Sequence, residues 1–285
     1  MLDRPYIEFI QAQMLPWQPV EEGWARAGTQ CKILSRDDST GACTSLIRYP
    51  AGWQRTGPEH MAADEEIYVL EGEVEFGEQC FHQDSYAFFP AGFTHERMSS
   101  SKGAVILSCF SSRPQMIAGQ GVLSEAAEAR AVPYLDVLHM PWDMSLNDEK
   151  LRHLGISRKD LRKDPVTGER TFLSMILPHS EPEHSRGPQE SHPIVEEAYI
   201  VSGSLVGPQG EMLPGAYFWR PPQIEHGPFG TRQGTVAFIR FVGGEHVNQW
   251  SEHQAPFSFD APYQPILPDD LMEYAGSYKP PGSAY

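Results

Sequence analysis

The chain repeats itself, and any fold assigned to it must be one that a single chain can build twice. Pro16-Trp17 returns as Pro141-Trp142, displaced by 125 residues. Lys32, Asp37 and Thr40-Gly41 return as Lys159, Asp164 and Thr167-Gly168, displaced by 127. The run Glu65-Glu66-Ile67-Tyr68-Val69-Leu70-Glu71-Gly72 meets Glu196-Glu197-Ala198-Tyr199-Ile200-Val201-Ser202-Gly203 at a displacement of 131, and Asp84, Pro90 and His95 meet Gly215, Pro221 and His226 at the same displacement. The drift reflects insertions, chiefly the His179–Gly187 region, which is longer than Ala51–Gly57 in the first half.

The repeat divides the 285 residues into an N-terminal module (13–112), a linker (113–137), a C-terminal module (138–244) and a tail (245–285). Each module is long enough to bury its own core. Ser124–Arg130 in the linker is made of strong helix formers and is expected to be a short helix. The tail is rich in proline and polar residues and is expected to lie across a surface or reach a partner subunit.

Within each module the apolar runs are short, β-branched or aromatic, and bounded by turn residues, the pattern of strands. They are Thr44–Tyr49, Ile67–Leu70, Tyr86–Phe89 and Val105–Phe110 in the first half, and Thr171–Leu177, Ala198–Val201, Tyr217–Trp219 and Val236–Val242 in the second. With 25 glycines and 25 prolines to turn the chain, the expectation is an all-β architecture of sandwich or barrel type.

Composition narrows the partners. A formal net charge of −16 repels phosphate backbones and anionic membrane surfaces, so neither nucleic acid nor membrane is expected as a partner. Residues 1–20 lack the basic start and apolar run of a signal peptide, and no apolar stretch is long enough to span a bilayer, so a cytoplasmic location is expected. Cys31, Cys43, Cys80 and Cys109 form no CxxC pair and are expected to be reduced structural thiols.

The chemistry-bearing residues recur with the repeat. His60, Glu65 and His95 fall at strand edges in the first half, and His192, Glu196 and His226 fall at the corresponding positions in the second. Two imidazoles and a carboxylate suit a borderline divalent metal and leave coordination positions open. Glu66 and Glu197 follow the presumed ligands and should point to the opposite face, because side chains alternate along a strand.

These residues give the chain a resemblance to the cupin superfamily, in particular to two-domain bicupins and, more loosely, to ChrR-like cupins. That family's first motif is Gly, five residues, His-x-His, three or four residues, Glu, six residues, Gly; its second is Gly, five residues, Pro-x-Gly-x-x-His. The first half carries His60, four residues, Glu65, six residues, Gly72, then Asp84, five residues, Pro90-Ala91-Gly92-Phe93-Thr94-His95. The second carries His192, three residues, Glu196, six residues, Gly203, then Gly215, five residues, Pro221-Pro222-Gln223-Ile224-Glu225-His226. The resemblance covers about two-thirds of the chain and implies two tandem cupin barrels of the double-stranded β-helix or jelly-roll type.

The departures decide between the halves. The family's first histidine falls on Pro58 in the first half, which cannot bind metal, and on Glu190 in the second, which can. The C-terminal set of Glu190, His192, Glu196 and His226 is therefore favoured, with Gln54, Glu59 or Asp64 left to complete the N-terminal one. The resemblance implies a divalent metal, with iron(II) favoured over manganese, nickel or zinc. It also implies a small-molecule substrate, a homodimer joined by edge strands and swapped termini, and a metal-dependent dioxygenase that cleaves a small diketone or hydroxylated aromatic ketone. A redox-neutral lyase or isomerase with Glu190 as base, a metal-dependent sensor of the anti-sigma kind and a storage protein are the alternatives.

Three further sets are noted. Arg48, Arg220 and Arg240 sit in strand-like runs where each must pair with a carboxylate or face a substrate anion, and Arg240 joins Glu190 as a candidate catalytic residue. Tyr68, Tyr199, Phe88, Trp219 and Phe238 are expected in the core, with lining of a substrate cavity as the alternative. His179 and His184 lie in the inserted loop and are expected to be solvated.

Overall fold

The computed structural model describes residues 3–20, 23–145 and 148–280. The chain is mostly β, and its strands fall where the apolar runs place them: Cys43–Tyr49, Glu65–Phe76, Ser85–Phe89 and Ala104–Phe110, then Arg170–Ile176, Val195–Gly203, Ala216–Arg220 and Thr235–Val242. The linker helix is Glu125–Glu128, and the Ser124 hydroxyl caps it by accepting from the Ala127 amide at 3.1 Å.

Two compact units emerge, and neither is one continuous stretch of sequence. The first is made of residues 1–4, 17–141 and 161–168; the second of residues 5–16, 142–160 and 169–285. The strand preceding each repeat is thus built into the unit of the other repeat. Ile7–Gln11 pairs antiparallel with Ala216–Arg220 in the second unit, and Val132–Asp136 pairs antiparallel with Ser85–Phe89 in the first.

In the second unit six strands form a sheet in the order Ile7–Gln11, Ala216–Arg220, Val195–Gly203, Thr235–Val242, Arg170–Ile176, Ser157–Lys163. A two-stranded sheet of Arg186–Ser191 and Gln249–Pro256 accompanies it, so part of the tail is a strand paired within this unit. Phe9, Ile200, Phe218 and Ala237 form part of its buried core. In the first unit Glu65–Phe76 pairs with both Ala104–Phe110 and Ser85–Phe89, around a core that includes Ile67, Val69, Phe89 and Ile106. Each large apolar side chain so buried contributes roughly 1.5–3 kcal/mol.

The repeated Gly of the first motif has a steric reason. Gly72 and Gly203 both adopt φ +74°, and a Cβ at either would strike a backbone carbonyl, that of Gly103 in the first unit and of Gly234 in the second. The left-handed conformation and the close approach each require glycine. Asp37 and Asp164 recur for an equally local reason: each carboxylate accepts amide hydrogen bonds from residues two and three positions on, Ser39 and Thr40 in one turn, Val166 and Thr167 in the other.

Candidate metal centre

In the second unit the backbone brings the donors together before any side chain is considered. Glu190 and His226 form a hydrogen-bonded antiparallel bridge, amide to carbonyl in both directions at 3.0 and 2.9 Å, and Gln223 donates its amide to the His192 carbonyl at 2.8 Å. The segments carrying Glu190, His192 and His226 are therefore adjacent in space. Ligand atoms of these three side chains all lie within 4.8 Å of one another, the one group of this kind among the described residues.

The histidines are oriented for ligation. His192 Nδ1 lies 3.1 Å from the Val247 carbonyl oxygen, and His226 Nδ1 lies 3.0 Å from that of Ile224. A carbonyl only accepts, so each Nδ1 carries the proton and each Nε2 presents a lone pair. Both Nε2 atoms, and Glu190 Oε2, are buried without a hydrogen-bond partner. Three orphaned buried polar atoms on neighbouring side chains are costly unless something binds them. Donation of the other ring nitrogen to a backbone carbonyl is the usual outer-shell arrangement of metal-bound histidine, and the residues present fit a divalent cation.

Glu196 stands beside this trio. Its Oε2 is 3.3 Å from His226 Nε2 and 3.9 Å from His192 Nε2. It also accepts from Arg220 Nη1 at 2.6 Å, because Glu196 and Arg220 are direct cross-strand neighbours. Burial alone would raise the Glu196 carboxyl, but Arg220 and the two histidines outweigh it and hold it at about 2. Glu190 makes no ion pair with an arginine among the described residues, and burial, then the charge of Glu196, outweigh the charges of Arg220 and Arg158 and push it up to about 8. Burial and the Arg220 charge push His226 down to about 3, which leaves its imidazole neutral.

Glu190, His192, Glu196 and Arg220 line a cavity of about 80 Å³. Since one water needs roughly 10–15 Å³ of such space, the cavity holds a small organic molecule or several waters. Its walls are largely apolar, with Leu154, Ile156, Phe218, Phe229 and Ile239 among them, and its polar lining includes Arg158, His246 and Asn248 besides those residues. His246 stacks on Phe241 at 3.7 Å, and its Nε2 is 2.6 Å from Asn248 Oδ1.

Other candidates lie elsewhere. Arg240, expected to act on substrate, is not among the residues lining the cavity: its strand neighbours Ile239 and Phe241 are, while Arg240 pairs with Glu197 at 2.5 Å. Glu197 and Glu66 take equivalent bonds, from Tyr217 at 2.6 Å and Tyr86 at 2.5 Å. Arg48 lies over the Trp17 ring at 3.9 Å. Tyr199, Trp219 and Phe238 are buried but do not line the cavity; the alternate residues Phe218 and Phe241 do. Tyr68 is buried and donates to Asp84 at 2.5 Å, and buried Phe88 packs under Arg162.

In the first unit His60, Glu65 and His95 are not gathered as the C-terminal trio is. Glu65 is engaged by Arg26, whose buried guanidinium donates Nη2 to Glu65 Oε2 at 2.5 Å and Nε to the Tyr49 hydroxyl at 3.1 Å. A covalently attached cation already balances this carboxylate. His95 packs against the rings of Phe76, Phe89 and Phe93, and burial followed by the Arg26 charge lowers it to about 3. His60 Nδ1 is 3.1 Å from the Gly119 carbonyl. Glu59 pairs with Arg55, and Asp64 with Arg130, so neither is left over to complete a ligand set.

The sequence reading did not single out Glu8, Arg26, Arg158, His246 or Asn248. None lies in the repeated motifs, and only for Arg158 was a signal present: a charge in a strand-forming run, of the kind that drew notice to Arg240.

A family model described as a domain of unknown function (DUF4437) matches residues 8–248. The chain belongs to the DUF4437 family. No curated protein matches its sequence. Among solved structures, the DUF4437 chain is similar to a protein from Nostoc punctiforme PCC 73102 described as a "putative dioxygenase", with a TM-score of 0.75 and 21% identity over 90% of this chain and 91% of that one. It is also similar to the oxalate decarboxylase of Lactobacillus farciminis in its formate complex, with a TM-score of 0.55 and 13% identity over 85% and 87% of the two chains. Vicilin from hazelnut, Corylus avellana, matches with a TM-score of 0.52 and 11% identity over 85% and 87%. At these identities the likeness shows the fold, which is that of the cupins.

Proposed function

We propose that each unit is a cupin barrel and that the second is the catalytic half of a metal-dependent enzyme, an oxygen-using dioxygenase acting on a small carbonyl compound. The observation that carries this reading is the clustering of Glu190, His192 and His226, each with a buried polar atom that lacks a hydrogen-bond partner, at a cavity that Glu190 and His192 line. A divalent cation held there by Glu190, His192 and His226, with Glu196 in reach, would supply Lewis acidity and, if it is iron(II), access to dioxygen chemistry.

The residues around it have separate tasks. Arg220 keeps Glu196 ionised and fixed. The carbonyls of Val247 and Ile224 hold the imidazole tautomers. The apolar walls exclude water and favour a substrate with a hydrocarbon body. The dioxygenase reading draws support from this largely apolar cavity and from the description carried by the Nostoc neighbour.

The test is oxygen uptake by protein loaded anaerobically with iron(II) and offered small diketones and hydroxylated aromatic ketones. Uptake matched to product and lost in His192→Ala and His226→Ala is the expected result. Turnover that proceeds without oxygen would assign the site to a redox-neutral lyase or isomerase, and saturable binding without turnover would assign it to a sensor.

A further inference from the structure

Arg158 lines the same cavity as Glu190 and His192, from the strand Ser157–Lys163. Among the described residues its guanidinium has no salt bridge and no side-chain hydrogen bond, and its Nε is buried without a partner. It rests over the ring of Phe172 at 4.7 Å, which supports its stem and leaves the guanidinium edge for a ligand. The contrast with the neighbouring arginines is direct: Arg220 holds Glu8 and Glu196, Arg240 holds Glu197, and Arg170 holds Asp160. Burial, and then the charge of Arg170, lower the Arg158 pKa, as befits a cation that lacks a counter-ion in contact.

We propose that Arg158 is the anchor for a carboxylate, and that the cavity takes a small organic acid with one negative charge and an apolar body. The proposal rests on the reading of the cavity as the enzyme site and names its substrate class. Charge balance selects the single charge. Once a cation holds Glu190 in its ionised form, three carboxylates, Glu8, Glu190 and Glu196, stand against two guanidinium groups, Arg158 and Arg220, which leaves one negative charge in excess among these side chains. A divalent cation reverses the excess to one positive charge, and a monoanion cancels it. The planar guanidinium fork matches a carboxylate in two-pronged geometry. A phosphate ester would bring about two charges and need more donors than Arg158 and Asn248 provide. The apolar walls accept the remainder of the molecule.

The experiment is calorimetric titration of chelator-stripped and metal-loaded protein with benzoate and 3-phenylpropanoate, against benzamide as a neutral match in shape. Wild type is expected to bind at least one acid ten-fold or more tightly than the amide. Arg158→Gln is expected to lose that preference and Arg158→Lys to keep part of it, with the metal content of both variants unchanged. Equal binding of acid and amide by wild type, or undiminished acid binding by a folded Arg158→Gln, overturns the proposal. Should Arg158→Gln fail to fold, the acid-against-amide preference of wild type decides alone. Acid preference in stripped protein, together with a site that takes up no metal, would leave the carboxylate anchor standing and remove the metal-dependent reading.

Discussion

Glu8 and Arg220, 212 residues apart, form a buried two-pronged ion pair in which the arginine Nε and Nη2 donate to the two oxygens of one carboxylate. The third nitrogen, Nη1, goes to Glu196. A strand from the start of the chain thereby fixes the charge beside the candidate metal centre.

Glu8→Gln should therefore disturb more than the strand that carries it. Removal of one partner from a buried pair costs about 3–5 kcal/mol, because the other charge is left uncompensated. The expected outcome is a loss of that order in urea unfolding, with weaker metal uptake as Arg220 turns its whole charge on Glu196. A variant as stable as wild type would show that Arg220 does not depend on Glu8.

Metal should stabilise the second unit specifically. A cation that binds only the folded state contributes about 2.7 kcal/mol at a concentration one hundred times its Kd. Chelator-stripped protein is expected to melt several degrees higher on addition of iron(II), manganese or zinc, and to carry one metal per chain by elemental analysis. His226→Ala should abolish the response and His60→Ala should retain it. The reverse pattern would return the site to the first unit.

Arg240→Met tests the assignment of Arg240 to structure. It removes the guanidinium that donates to buried Glu197, so a loss of about 3 kcal/mol is expected in denaturant unfolding. Metal content should not change. A normal melt combined with lost ligand binding would instead make Arg240 a cavity residue.

Asp164 sets an acid limit on the first unit. Burial would raise its carboxyl, but the hydrogen bond from Arg130 and the amides of Thr167 and Val166 outweigh that and hold it at about 2, below the ordinary value of 3.8. A depressed folded pKa stabilises above the unfolded pKa, and that stabilisation is lost as pH falls from about 4 toward 2. The contribution at neutral pH is on the order of 2 kcal/mol. Asp164→Asn should lower the urea midpoint at pH 7 and flatten its fall between pH 4 and 2. An unchanged acid profile would exclude Asp164 as the responsible group.

Much of this molecule was written in local sequence. The repeat, the strands and the linker helix were legible because alternation, turn residues and capping act over a few positions, and the C-terminal donors were legible because Glu190, His192, Glu196 and His226 stand at motif spacings. The same spacings named His60, Glu65 and His95, which the structure does not gather as it gathers the C-terminal trio. Spacing says which residues share a strand edge, but not which cation reaches them first. Arg26 took Glu65, and the phenyl rings of Phe76, Phe89 and Phe93 took the surroundings of His95.

What the sequence determined by itself is a doubled β scaffold with two sets of histidines and glutamates, since those follow from periodicity and composition. Which set faces a cavity with its donor atoms bare was decided only in three dimensions. Burial, the tautomer set by a distant carbonyl, and ion pairs such as Glu8 with Arg220 depend on contacts between segments far apart in the chain, and no local pattern encodes them.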